Sequence, residues 1–192
     1  SDCTVIVSGL ACRYKFVRES RRQILSLHFA GDIPDLDGLA LPKADQGVCA
    51  LTPVTVASIS HAHLRGLAAA HPTFAEALTR QAMVDGSILG EWIANVGRRF
   101  AVERVAHLIC ESFTRMRALG LADADSFDLP MTQADMGDAT GLSNVHVNRT
   151  MTALKKSGVL AVTRRSHRIL DWARLRDHAD FNPAYLHLLP AA

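Results

Sequence analysis

Residues 131–160 read MTQADMGDATGLSNVHVNRTMTALKKSGVL. Val145 and Val147 alternate with polar neighbours, as in a strand, whereas the run ending in Lys155 and Lys156 has a helical composition. Thr132, with Asp135 three residues later, forms a variant of the capping box that starts a helix. That helix is short, because Thr140-Gly141 ends it. Ser143 then supplies a second N-cap. Two helices joined by a tight turn containing glycine form the helix-turn-helix pattern. Gly137 is small where the helices approach, Gly141 makes the turn, and Met136, Leu142 and Val147 fill the angle between them.

Placing residues 144–156 at about 100° per residue resolves the alternation in favour of a helix. Val147, Thr150, Met151 and Leu154 gather on one side, which is the packed face. Val145, Asn148, Arg149, Thr152 and Lys156 gather on the other, with Asn144 and His146 at its flanks. These are side chains that a DNA major groove calls for: arginine pairs bidentately with guanine, asparagine with adenine, and an apolar group meets the thymine methyl. Asn144, Val145, Asn148 and Arg149 are therefore the candidate base readers. Thr132, Ser143, His146, Thr152 and Lys156 suit the phosphate backbone, as does the helix N-terminus itself.

Beyond Gly158, VLAVTRRSHRILDW (159–172) has β-rich arms around a basic tip, with Arg164, Arg165, His167 and Arg168 placed there. A basic hairpin beside a helix-turn-helix is a wing, and its arginines suit phosphate contacts. Charge placement supports this. Residues 1–97 carry eight Lys/Arg against nine Asp/Glu, while residues 141–170 carry six basic residues and no acid. An island of this sign in a chain of net charge +2 is a candidate polyanion footprint, the alternative being a solvated face.

The remainder of the chain bounds the architecture. With 192 residues, 48% of them hydrophobic, it can bury a sizeable core in one large domain or two small ones. No run of eighteen apolar residues exists, and no secretory signal is visible. The chain begins at Ser1 within a strand-like pattern, so a preceding segment is expected. Four cysteines, Cys3, Cys12, Cys49 and Cys110, never form CxxC and read as reduced, mostly buried thiols, with a redox sensor among them left open.

The first sixty residues read as β: Cys12, Tyr14 and Phe16 alternate with polar residues, as do Leu25, Leu27 and Phe29, and LTPVTVASI (51–59) puts Val54 and Val56 on one parity. Short strands with Gly, Pro and Asp turns predict a small antiparallel roll. Residues 32–47 read as loop with a short helical turn. Ser60 caps a short helix, and Pro72 starts a long one to about Arg99. Its apolar stripe (Leu78, Ala82, Leu89, Ile93, Val96 and Phe100, widened by Ile88 and Trp92) predicts a dimer seam, with Leu78, Leu89, Trp92, Ile93 and Val96 as its residues. A further helix spans 100–120, with Val105, Leu108, Ile109 and Phe113 inward and Gly120 as C-cap. GRRFA between the two long helices has no evident cap and reads as a hinge, and 121–130 reads as loop.

Over essentially its whole length the sequence resembles the Crp/Fnr family of bacterial transcription regulators. MTQADMGDATGLSNVHVNRTMTALKKSGVL is similar to that family's helix-turn-helix, and TRRSHRIL to its wing. The resemblance implies an α+β fold: an N-terminal antiparallel β-roll like a cyclic-nucleotide-binding jelly roll, a long dimerisation helix, and a C-terminal winged helix-turn-helix. The expected domains are a partial β-roll effector domain over 1–71, the dimerisation helix over 72–100, and the DNA-binding domain over 101–192. It further implies a cytoplasmic homodimer on a two-fold symmetric promoter site of double-stranded DNA, with RNA polymerase as a further partner and no membrane contact. Arg149 matches the family's base-reading arginine. Asn148 falls where oxygen-sensing members carry a base-contacting serine, and Val145 where many members carry a glutamate that accepts from cytosine. An altered preference is expected at that base pair.

At the effector end, the family's nucleotide-binding members carry a phosphate cassette from a Gly-Glu pair to an Arg-Ser pair. Here Gly31-Asp32 and Gln46-Gly47 are the matching positions, and the cassette arginine and serine are absent. That argues against cyclic AMP and leaves the cofactor open. The cysteines do not cluster as iron–sulfur ligands, and His28, His61, His63 and His71 are the haem candidates. Rival readings are a sensor or interaction dimer that has lost DNA readout, an enzyme, and an RNA binder. No GxSxG, HExxH or glycine-rich phosphate loop supports an enzyme, and His61-x-His63 is the nearest approach to a metal pair.

Overall fold

Strand alternation builds the N-terminal half of the computed structural model, which describes residues 2–18 and 21–188. Asp2–Ser8 (β1) buries Cys3 and Ile6 and pairs antiparallel with Thr55–Ser60 (β5). Ala11–Phe16 (β2) lies between Arg22–His28 (β3) and Gly47–Ala50 (β4), antiparallel to both. The parity expected for Leu25, Leu27 and Phe29 is corrected here. The register runs from Arg13 opposite Ser26 to Tyr14 opposite Ile24, so Leu25 is the extra residue of a β-bulge. Ile24 and Leu27 consequently both turn inward and are fully buried. Val56 is 51% exposed, so the Val54/Val56 parity does not mark a core face. Strand β4 was not foreseen, whereas the helical turn expected within 32–47 is the 3-10 helix Leu36–Leu39, with Leu36 buried.

Helices begin where the caps place them. The Ser60 hydroxyl accepts from the His63 N–H at 3.2 Å and starts His61–Ala70 (α1). Pro72 is the first residue of Pro72–Arg98 (α2), where its missing N–H costs nothing. The GRRFA segment has a cap that the sequence reading missed. The Phe100 N–H donates to Glu103 Oε2 at 2.7 Å at the start of Ala101–Ala118 (α3), and Arg104 Nε donates to the Arg99 carbonyl at 2.8 Å. At the other end of α3 the C-cap is Leu119. Gly120 is the residue after it, left-handed at φ +69°, and the Leu121 N–H closes back on the Met116 carbonyl at 2.8 Å.

The chain divides into two compact units, Ser1–Leu89 and Gly90–Ala192. In the second, α3 is the spine. Val105, Ile109 and Phe113 are buried, and the Phe113 ring meets Phe127 at 5.4 Å and Trp172 at 5.3 Å. Gln133–Thr140 (α4), Asn144–Lys156 (α5) and Trp172–Ala179 (α6) pack on α3, and the 3-10 helix Pro183–Leu186 follows α6. Ser126–Asp128 (β6) lies within the stretch read as loop and pairs with Ser166–Ile169 (β8), which pairs in turn with Leu160–Thr163 (β7). Among the described residues no helix is long and apolar enough to cross a membrane.

Candidate nucleic-acid interface

Two short helices and one left-handed glycine set the geometry. Thr132 caps α4: its hydroxyl accepts from the Asp135 N–H at 3.1 Å and donates to Asp135 Oδ2 at 2.6 Å, while the Thr132 N–H donates to the same oxygen at 3.0 Å. The hydroxyl is thereby committed to the cap. Helix α4 ends at Gly141, at φ +67° and ψ +31°, a conformation that disfavours any Cβ. Arg104 braces the corner by donating to the Thr140 carbonyl at 3.2 Å. The Leu142 N–H donates to the Gly137 carbonyl at 3.0 Å, drawing the turn against α4. Ser143 starts α5; its Oγ accepts from the His146 N–H at 3.4 Å and lies 3.0 Å from His146 Nδ1.

Helix α5 is divided as the wheel requires. Val147, Thr150, Met151 and Leu154 are its buried residues. Asn144, Val145, His146, Asn148 and Arg149 are exposed, Val145 at 68%, and Thr152 is half-buried. Among the described residues no hydrogen bond or ion pair engages the side chains of Asn144, Asn148 or Arg149. Thirteen residues at a rise of about 1.5 Å give a rod whose outer face is mostly polar, with Val145 its one large apolar side chain. Lys155 and Lys156 are exposed at its C-terminal end.

In the wing, Arg164 and Arg165 form the two-residue turn between β7 and β8, Arg164 at φ +57°, and both side chains are exposed. Arg168 is exposed and tied to Asp125, Nε to Oδ2 at 2.9 Å. His167 is not part of the basic tip: it is 2% exposed, its ring lies 5.4 Å from Phe127, and burial pushes its pKa down. Strand alternation gives the reason, since His167 and Ile169 face inward between exposed Ser166, Arg168 and Leu170.

Behind this surface lies a buried polar cluster that the sequence reading did not find. Glu111, 1% exposed on α3, accepts from Trp92 Nε1 at 2.9 Å and from the Tyr185 hydroxyl at 2.7 Å. Burial pushes the Glu111 carboxyl upward, against the opposing pull of Arg115 and of the two hydrogen bonds. His107, one turn earlier, stacks on Tyr185 at 5.8 Å and meets Phe181 edge-on at 5.2 Å. Its Nε2 lies 3.2 Å from Glu91 Oε1 without a hydrogen-bonding angle, and that carboxylate is held by Arg99 at 2.7 Å. Burial, with Arg99 beside it, pushes the His107 imidazole down to about 3. Helical spacing alone reads 104–116 as a core stripe, and no sequence signal distinguishes Glu111 within it.

A model of the Crp-like helix-turn-helix domain matches residues 103–178. The nitrogen fixation regulation protein FixK of Bradyrhizobium diazoefficiens is 30% identical over 172 residues, 88% of this chain and 70% of that protein. The chain belongs to the Crp/Fnr family. The transcriptional activator protein FnrL of Cereibacter sphaeroides is 29% identical over 178 residues, covering 91% of this chain and 71% of its own. The solved structure of FixK2 from Bradyrhizobium japonicum superposes with a TM-score of 0.83 at 26% identity, over 100% of this chain and 88% of that one. A Crp/Fnr transcription regulator with this fold is thus established, and DNA binding and dimer formation are general properties of the family.

Gly31, at φ +94°, and Asp32 form the turn after β3, where Asp32 Oδ2 accepts from the Phe29 N–H at 2.9 Å and lies 3.6 Å from His28 Nδ1. Gln46 and Gly47 are half-buried at the start of β4, and a Cβ on Gly47 would lie 2.5 Å from Tyr14 Cζ. His28 is engaged by Ser26 Oγ at 2.9 Å. Among the described residues no group of three His, Cys, Asp or Glu could hold a metal ion. On α2, Leu78, Leu89 and Val96 are half-buried and Ile93 is 66% exposed. Trp92 is 6% exposed and donates its indole N–H to Glu111.

Proposed function

We propose that this Crp/Fnr regulator is a homodimer that sets one α5 into the major groove of each half of a two-fold symmetric promoter site. The observation that carries the reading is the outer face of α5, where Asn144, Val145, Asn148 and Arg149 stand exposed on a helix whose opposite face is fully packed. Arg149 is the guanine reader and Asn144 and Asn148 read adenine, by bidentate pairing. Val145, with no hydrogen-bonding group, meets a thymine methyl in place of a cytosine amine. Ser143, His146, Thr152, Lys156, Arg164, Arg165 and Arg168 hold the phosphates that fix the register.

Helix α2 is the dimer element. Met83, Gly86, Gly90, Ile93 and Gly97 are exposed along α2 at alternating spacings of three and four, the repeat of a helix-to-helix seam. Met83 and Ile93 supply apolar knobs, and the glycines let a second helix approach closely. Cyclic AMP is not the signal, because the positions matching the phosphate cassette supply no arginine. Such a regulator acts in the cytoplasm, where promoter and RNA polymerase are.

Selection of bound sequences from a random DNA pool by the purified protein, with and without cyclic AMP and at two salt concentrations, tests this. The expected result is a palindromic site selected equally with and without the nucleotide. Steeply salt-dependent binding with no preferred sequence would refute it.

A further inference from the structure

Cys12 and Cys49 face each other across the antiparallel pair β2 and β4, directly in register, with their sulfurs 3.3 Å apart. Opposite residues in such a ladder have Cα atoms about 4.5–5.5 Å apart, inside the span of about 4.4–6.8 Å that a disulfide accepts. Closing the gap to an S–S bond of about 2.05 Å therefore asks for side-chain rotation and no movement of backbone. From this geometry we infer that Cys12 and Cys49 form a reversible thiol–disulfide site that responds to hydroperoxides, independent of the DNA-reading surface.

The two sulfurs have different roles. Cys49 is half-buried on the edge strand of its sheet, and the guanidinium of Arg22 donates to its Sγ at 3.7 Å, so a cation stands beside this sulfur. Cys12 is fully buried behind it. Cys49, as thiolate, attacks one oxygen of the hydroperoxide and breaks the O–O bond; it becomes a sulfenic acid and releases an alkoxide or hydroxide, which takes up a proton. The Cys12 sulfur then displaces the sulfenic hydroxyl, forming the S–S bond and releasing water. Each sulfur gives up one electron overall, the peroxide is reduced by two, and a dithiol restores the starting state by exchange.

The remaining cysteines lack this arrangement. Cys110 is fully buried on α3 and burial pushes its thiol far up. Cys3 is fully buried, its thiol raised first by burial and then by Asp35 and Asp37, and its sulfur donates to the Asp35 carbonyl at 3.7 Å. Neither has a second sulfur in contact among the described residues.

Peptide mapping of the full chain under non-reducing conditions, after graded hydrogen peroxide, tests the inference. Two of the four thiols should be lost together, a peptide linking Cys12 to Cys49 should be the principal product, and dithiothreitol should restore both thiols. Its formation should outpace oxidation of Cys3 and Cys110 by at least tenfold. In Cys49→Ser no linked peptide should form and Cys12 should stay reduced at the same dose. Accumulation of Cys49 sulfinic acid with Cys12 still alkylatable, or disulfides formed only between chains, would overturn it. Because the wild-type map is decisive alone, poor folding of a variant leaves the test intact.

Discussion

Gly137 and Leu142 touch across the corner of the helix-turn-helix so closely that a Cβ on Gly137 would lie 2.6 Å from the Leu142 carbonyl oxygen. That oxygen belongs to the backbone and cannot swing aside. Gly137→Ala should therefore open the angle between α4 and α5, costing roughly 1–3 kcal/mol as an overpacking change. Urea denaturation should show the loss of stability, and DNA affinity should fall with it, although Gly137 is buried and reaches no ligand. Gly66→Ala, on exposed α1 with open space around its α-carbon, is the control and should be neutral or slightly stabilising.

Arg149 and Arg165 are both exposed cations, one on α5 and one at the wing tip, and should fail differently. Arg149→Ala should cost about 1–3 kcal/mol on the preferred site and relax selection at a single base pair of each half-site. Arg165→Ala should weaken all sequences alike and lower the slope of log K against log salt by about one. Binding isotherms on specific and scrambled duplexes at several salt concentrations separate the two.

Ile93 is 66% exposed on α2 in the single chain. If α2 is the dimer seam, Ile93→Glu buries a charge in each half of a symmetric contact. Dissociation by sedimentation equilibrium should shift by tenfold or more, about 1.4 kcal/mol or greater. Trp92→Phe, inside its own chain, should leave the dimer constant unchanged while lowering the melting temperature.

The His107 imidazole, held at about 3 against 6.5 when unfolded, makes stability depend on pH with a definite sign. Its folded value is depressed, so its contribution is fully present above pH 6.5 and is lost as pH falls toward 3, because only the unfolded chain takes up the proton. The slope from this group is about 1.4 kcal/mol per pH unit. His107→Phe, which preserves the ring contacts to Phe181 and Tyr185, should flatten the decline between pH 6 and pH 4 in urea titrations.

The helix-turn-helix was legible because its signals are local. Thr132 with Asp135, the left-handed Gly141, Ser143 and the four buried residues of α5 each follow from spacing of a few residues. The wing was partly legible: its arginines could be read, but β6 could not, since three residues gain strand character only by pairing with β8. Leu25 was misplaced because a bulge shifts parity without leaving a mark in composition. Periodicity puts Trp92 on an apolar stripe without saying what its indole N–H meets; that partner, Glu111, is nineteen residues away and is reached only through tertiary contact.

Sequence choice should turn most directly on Val145, the exposed apolar residue at the centre of the outer face of α5. Val145→Glu, selected against a random DNA pool in parallel with the wild type, is the measurement that tests it. A symmetric site is expected for both proteins, differing at one base pair per half-site, with cytosine appearing opposite the new carboxylate and the rest of the sequence retained. An identical selected site for the two proteins would contradict it.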